Sequence, residues 1–218
     1  MRKAGNSINF IDKAIVFDFD GVILDTDKYL YDSFSSVRKH FRLKKITKQQ
    51  FRREFEKNPK YIFKCEKPML RLPFFIRLVS ELKKNSDSIK LSTGFEELIK
   101  DLFSDFALFI CSKNLGFIIN RVLKNHNLDV YFRNIFSSGF LYHKGAVLKK
   151  ISKHYGSLDV LFITDTQNDI KEAKKVNVKT IAVSFGLSSI EQLKKAKPYK
   201  IATTLKQLKS YIYQFKTL

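Results

Sequence analysis

The sequence predicts an α/β protein: a parallel sheet with helices on its faces, interrupted after its first strand by an all-helical segment. Three observations predict this. After Gly94, short apolar runs alternate with stretches of helical spacing, the pattern of βαβ units feeding a parallel sheet. Between about 27 and 92, apolar residues recur at threes and fours, as on one face of a helix. Several of the apolar runs end in Asp or Ser, at the strand ends where such sheets hold ligands.

The elements follow in order. Ala14–Asp18 is a strand-sized apolar run closed by a carboxylate. Beyond Thr26, the residues Tyr29, Leu30, Phe34, Val37 and Phe41 mark an amphipathic helix. Thr47 is a candidate N-cap for a second helix that carries Phe51 and Phe55. A third helix runs from about Met69 to Lys84, with Pro73 in its first turn or at a kink. Asn85–Gly94 is polar, short-chained and ends in Gly, and reads as a linker. The alternating part then gives a helix at Phe95–Leu102, a strand at Phe106–Cys111 and a helix at Leu115–His126. A strand at Asn134–Ser137, a helix at Gly145–Tyr155, a strand at Val160–Thr164 and a helix at Ile170–Val176 come next. The chain closes with a strand at Thr180–Phe185, a helix near Ser189–Lys195, a small strand at Lys200–Ala202 and a helix at Thr204–Phe215. Residues 1–26 and 93–218 thus form a Rossmann-like core, and residues 27–92 an all-helical insert.

Composition bounds the function. The 218 residues are 44% hydrophobic and 28% charged, the proportions of an ordinary globular chain and unlike those of disordered ones. No apolar run approaches the ~20 residues of a membrane span. No apolar stretch of signal-peptide length follows the basic N-terminus. Cys65 and Cys111 make neither a disulfide framework nor a CxxC pair. The expectation is a reduced protein of the cytoplasm with no membrane attachment. The formal charge of +20 reads either as a lysine-coated surface, partly a product of A/T-rich coding, or as a preference for an anionic partner. It is uneven: the insert has 18 basic and 7 acidic residues and six of the nine arginines.

Four strand ends carry chemistry. In Phe17-Asp18-Phe19-Asp20-Gly21, extended backbone turns both carboxylates to one side, and Gly21 lets the chain turn and a ligand approach. Paired carboxylates are best tolerated around a hard divalent cation such as Mg²⁺. A carboxylate so placed can attack phosphorus while its neighbour handles the leaving-group proton. Alone, the pair reads more readily as an acidic turn; the apolar strand before it and Gly21-Val22 and Asp25-Thr26 after it favour the site. Asp165 lies at the tip of another apolar strand, with Asp169 at the next helix start, where the helix dipole also favours an acid. Ser112 ends a third strand and suits either an anion site or a plain N-cap. Lys144, in Tyr142-His143-Lys144-Gly145, has meaning only as a counter-charge to the other three.

Together, in this order, the pieces resemble the haloacid dehalogenase superfamily, in the layout of its phosphoglycolate-phosphatase-like and β-phosphoglucomutase-like members. DFDGVILDT is similar to the family's first motif, FICSKN to the second, Lys144 to the lysine of the third, and TDTQNDIKEAKKVNVKTIAVSFG to the fourth. The insert sits where the family has its helical C1 cap. The resemblance implies Asp18 as nucleophile and Mg²⁺ ligand, and Asp20 as general acid/base that gives its backbone carbonyl to the metal. It implies Ser112 as phosphoryl holder, with backbone amides near Gly21 and Lys113, and Lys144 as the neutralising cation. Asp165 would be a direct metal ligand and Asp169 a metal-site carboxylate that orients Lys144. The chain departs from the pattern at Thr164 (usually Gly), Gly145 (usually Pro) and Asn177 (usually Gly).

The implied activity is Mg²⁺-dependent hydrolysis of a small phosphomonoester. Phosphomutase and phosphonatase chemistry stay open, the latter needing a cap lysine. A separate class is a binding module: Arg38 to Lys60 holds 10 basic and 2 acidic residues, which suits nucleic acid or another polyanion. As part of an enzyme, the same charge predicts a basic lid over an anionic substrate.

Overall fold

The computed structural model describes residues 11–24, 26–85, 89–137, 143–155 and 158–217. Asp25, Tyr142, the middle of the expected linker and the N-terminal segment lie outside them.

Six strands form one sheet: β1 (Lys13–Phe17), β2 (Ala107–Ser112), β3 (Asn134–Ser137), β4 (Asp159–Thr164), β5 (Lys179–Val183) and β6 (Lys200–Ala202). Their order is β3-β2-β1-β4-β5-β6, every neighbouring pair parallel. The order reverses at β1, so the crevice at its carboxyl end is the switch point where doubly wound sheets bind ligands. Register fixes what meets there: Phe17 lies opposite Ile110 on one side and Ile163 on the other. The residues that follow them, Asp18, Cys111 and Thr164, are therefore level.

β2 is buried along its whole length, and β1 and β4 except at their first residues, which is why they read as continuous apolar runs rather than alternating ones. Alternation survives in the packing. Ile15, Phe17, Leu108, Ile110, Leu161 and Ile163 face one apolar cluster, and Ala14, Val16, Ala107, Phe109, Val160 and Phe162 face another.

Between β1 and β2 come four helices: α1 (Thr26–His40), α2 (Lys48–Lys57), α3 (Arg71–Asn85) and α4 (Phe95–Phe103). Thr47 caps α2 in a full capping box with Gln50. Pro73 stands in the first turn of α3, where its missing N–H costs nothing. Two 3₁₀ turns, Pro59–Phe63 and Pro68–Leu70, are too short to carry a hydrophobic period and are silent in the sequence. Phe34 contacts Phe51, Tyr61 and Phe74 at centroid distances of 5.0–6.1 Å. These rings pack in the same apolar cluster as Phe19, Val22, Ile23 and Leu30 and the sheet's Ile15 and Phe17.

The rest of the chain supplies α5 (Gly116–Asn125), α6 (Lys144–His154), α7 (Gln167–Lys174), α8 (Ile190–Ala196) and α9 (Leu205–Lys216). Two boundaries differ from expectation in ways that matter. α7 starts three residues early because the Thr166 hydroxyl accepts the Asp169 N–H as an N-cap. α6 starts at Lys144 itself, so this lysine is on a rigid helix rather than in a loop. Asn177 has φ +58°, the left-handed conformation that Asn tolerates in place of Gly.

Candidate active site

The β1 ladder runs one bond past its last residue, with Asp18 N–H donating to the Ile163 carbonyl at 2.8 Å. This pins Asp18 at the mouth of the sheet. Its Oδ1 accepts the Phe19 N–H at 2.7 Å, and its Oδ2 lies 2.5 Å from Lys144 Nζ. Lys144 also reaches Asp169 Oδ2 at 2.6 Å, which in turn accepts the Thr164 hydroxyl at 3.2 Å. The lysine is 3% exposed, and its two carboxylate partners are buried with it. Burial works to discharge Lys144, but Asp169 and Asp18 overcome it and raise its pKa. Burial also works to raise Asp169, yet Lys144, then Lys113 at 3.5 Å, hold it well below the usual carboxylate range.

Asp18 and Asp165 go the other way. Burial pushes Asp18 well up, against the pull of Lys144. Burial pushes Asp165 to about 7, against the Leu187 N–H that donates to its Oδ2 at 2.7 Å. The Oδ1 of Asp165 is buried with no hydrogen-bond partner. Two glycines press on this side chain. Gly21, at φ +74°, turns the chain after Asp20, and a Cβ there would fall 2.7 Å from Asp165 Cγ. A Cβ at Gly186 would collide with the Asp165 side chain and lie 2.5 Å from the Gly21 carbonyl oxygen.

Asp20 has a different set of neighbours. Asn114 Nδ2 donates to both of its carboxylate oxygens, at 3.0 and 3.1 Å, and the Ser112 hydroxyl stands 3.5 Å away. Ser112 Oγ accepts the Asn114 N–H at 2.9 Å, closing a tight turn. α5 begins only at Gly116, with Leu115 as its N-cap, so Ser112 is not the N-cap of that helix. Lys113 points its ammonium at Asp169.

One cavity of about 100 Å³ collects Asp18, Asp20, Lys113, Lys144, Asp165 and Asp169; Ser112 and Gly21 are not among its lining residues and meet it through Asp20 and Asp165. Sequence reasoning missed Asn114, although it stands beside Ser112 in a stretch already singled out. It also missed the role of the Thr164 hydroxyl, which donates to Asp169, and the Leu187 amide and Gly186, which act through backbone and packing and carry no compositional mark. Arg52 was missed too: from α2 it donates to the carbonyls of Gly186 (2.8 Å) and Leu187 (3.1 Å), tying the helical segment to the loop that holds Asp165.

At the departures from pattern, the structure gives reasons. The Gly145 N–H donates to Glu172 at 3.3 Å, a bond that proline lacks, and a Cβ there would press on the Glu172 carbonyl at 2.9 Å. Cys111 is buried and its thiol pushed up to about 12, so it is no nucleophile. Phe74 is fully buried, while Phe75 lies outside against Phe63. Among the described residues no three His, Cys, Asp or Glu side chains group as a metal cage, and no helix is long and apolar enough to cross a membrane.

The chain matches the model of the haloacid dehalogenase-like hydrolases over residues 15–183. No curated protein matches it. Among solved structures, a haloacid dehalogenase-like hydrolase family protein from Streptococcus pneumoniae superposes with a TM-score of 0.82 at 20% identity, covering 92% of this chain and 98% of that one. A predicted phosphoglycolate phosphatase from Haemophilus somnus gives 0.77 at 17%, covering 92% and 97%. A Thermotoga maritima protein assigned provisionally as a β-phosphoglucomutase gives 0.70 at 17%, covering 93% and 99%. At these identities the likeness is one of fold.

Proposed function

The chain belongs to the haloacid dehalogenase-like hydrolase family, and from that premise we propose that it is a Mg²⁺-dependent phosphatase that hydrolyses a small phosphomonoester through an aspartyl-phosphate on Asp18. Residues 1–26 and 93–218 are the catalytic core, and residues 27–92 a cap over it. The observation that carries the proposal is the separation of two carboxylates in one cavity: Asp18 is held by Lys144, and Asp20 by Asn114. Different partners give neighbouring acids different tasks.

In the first half-reaction an Asp18 oxygen attacks phosphorus and the bond to the ester oxygen breaks. Asp20 gives its proton to the departing alcohol. In the second, Asp20 takes a proton from water, whose oxygen attacks phosphorus, releasing phosphate and regenerating Asp18. Lys144 holds Asp18 in place and balances the charge gathered there. Ser112 and the amides near Gly21 and Lys113 hold the phosphoryl oxygens, and Asp169 keeps Lys144 charged and oriented.

The residues fit a hard divalent cation. Asp165 Oδ1 is buried and unpartnered, and burial holds both Asp165 and Asp18 above the usual carboxylate range, which a cation would relieve. Asp18, Asp165 and the Asp20 carbonyl would hold Mg²⁺, with Asp169 and the Asp20 carboxylate close by. When bound, the metal neutralises charge on the transferring phosphoryl group.

Of the other readings, the phosphonatase loses support because no lysine from the described part of the cap lines the cavity. The polyanion-binding reading loses part of its charge to internal partners: Arg38 binds Glu66, Arg52 binds backbone carbonyls and Arg77 binds Glu81. Cytoplasmic residence belongs to the same proposal, supported by two free, buried cysteines. The test is hydrolysis of an aryl phosphate with and without Mg²⁺. Turnover that needs the metal and vanishes in Asp18→Asn supports it; turnover surviving in Asp18→Asn rules out the nucleophile.

A further inference from the structure

We infer that the alcohol released by this enzyme is small and apolar, a short alkyl or single-ring phosphate rather than a sugar or polyol phosphate; the inference rests on the phosphatase reading and names its substrate class. The cavity has two unlike halves. Its floor, from the strand ends, holds every charged group. Its roof, from the helical segment, is Leu30, Phe55, Ile62, Phe63 and Leu82. Leu115 and Leu187 continue the apolar wall on the core side.

This is the reverse of the basic lid that the cap's composition predicts. Among the described residues no cap lysine or arginine lines the cavity. The charged side chains of α2 lie outside it: Arg52 reaches the carbonyls beyond β5, while Arg53 and Lys57 pair with Glu54 and line a neighbouring pocket that shares Asn168 with this one. Leu30, Ile62 and Leu82 are themselves 2–6% exposed, so the roof is a packed surface and not a fringe of mobile side chains.

A sugar hydroxyl placed against such a roof gives up its water without gaining a partner there; the cavity's uncharged polar side chains, Asn114, Thr166 and Asn168, all come from the core side. Each one left unpaired costs roughly 5- to 150-fold in affinity. A methylene placed there gains about fourfold instead. The cavity is about 100 Å³, smaller than the ~150 Å³ apolar cavity that accepts benzene. With the phosphoryl group on the floor, there is room for a few carbons, or for one ring with its far edge at the opening.

The test compares alkyl alcohols as leaving groups, so that bond cleavage is matched and the difference reports the roof. Ethyl, propyl, butyl and benzyl phosphates are set against glycerol phosphate and glucose 6-phosphate with Mg²⁺. kcat/KM is expected to climb severalfold per methylene up to butyl, and benzyl phosphate to exceed the polyol esters at least tenfold. Phe55→Asn and Phe63→Asn are each expected to cut that preference about tenfold, through KM, while Phe55→Leu retains most of it. A folded Phe55→Asn or Phe63→Asn protein whose preference is unchanged overturns the assignment of the roof. So does a flat series, or faster turnover of the polyol esters in an Asp18-dependent reaction, and either leaves the phosphatase reading standing. Binding is read separately by calorimetry with benzylphosphonate and with glycerol phosphate. Tighter binding of benzylphosphonate with no turnover of any ester overturns the phosphatase reading and supports the roof; equal binding with no turnover overturns both.

Discussion

Replacing Lys144 by Met removes one charge from the centre of the site and leaves two carboxylates behind. Lys144 is 3% exposed, with Asp18 at 2.5 Å and Asp169 at 2.6 Å. Met retains most of the volume, and the apolar Phe162 ring that lies 5.6 Å from the ammonium accepts a thioether. The loss is therefore electrostatic. Removing one partner of a buried pair costs about 3–5 kcal/mol, because the other charge stays buried. For a chain of this length that is a fall in Tm of roughly 6–20 °C. The assay is thermal unfolding of four proteins: wild type, Lys144→Met, Asp169→Asn and the double variant. Asp169→Asn in the Lys144→Met background removes one of the two stranded carboxylates, so the double variant is expected to regain about half of the loss while remaining inactive. Two results would refute this reasoning: a single variant within about 2 °C of wild type, or losses that simply add.

The other predictions concern Asp165 and the cap. In metal-free protein the folded pKa of Asp165 is about 7, above the ~3.9 of an unfolded chain. Its contribution to stability is thus full below pH 4 and is lost as pH rises to 7, by up to about 4 kcal/mol. Tm in chelator is expected to be higher at pH 5 than at pH 8, and Mg²⁺ to flatten the difference; a level profile in chelator contradicts it. Gly186→Ala drives a methyl into Asp165 and the Gly21 carbonyl, for about 1–3 kcal/mol, and is expected to raise the Mg²⁺ concentration that gives half-maximal activity. Arg52→Ala cuts the tie from α2 to the Gly186 and Leu187 carbonyls. A loss of about 1 kcal/mol and a severalfold higher KM at unchanged kcat are expected, checked by unfolding and steady-state kinetics.

Much of this was legible in the sequence, for physical reasons. Strands buried on both faces are forced to be continuous apolar runs, so β1, β2 and β4 stand out. Their carboxyl ends have only a few residues in which to place chemistry. Asp18, Asp20, Asp165 and Asp169 fall there, and the cavity gathers all four. Lys144 was legible only through its company, since one lysine among many carries no signal.

What stayed hidden acts through geometry. Leu187 contributes a backbone amide, and Gly186 contributes the absence of a side chain. Neither has a composition to read. The cap's charge misled in a more general way. Its excess of 18 basic over 7 acidic residues describes the whole segment, but a helix turns only one stripe to the cleft. That stripe is Leu30 on α1, Phe55 on α2 and Leu82 on α3. The basic residues near it have other partners, with Arg38 spent on Glu66 and the Lys44 carbonyl and Arg52 on the Gly186 and Leu187 carbonyls.

The central claim is that Asp18 becomes covalently phosphorylated. The direct measurement is acid quench of a single turnover with a phosphomonoester and Mg²⁺, followed by peptide mass mapping. Asp20→Asn with an aryl phosphate serves best: the aryl oxide leaves without a proton, while attack of water on the intermediate lacks its base. A phosphoryl group is predicted on the peptide that contains Asp18, and on that peptide alone. Turnover with no trapped phosphoryl group, or a phosphoryl group mapped to another residue, would contradict the account.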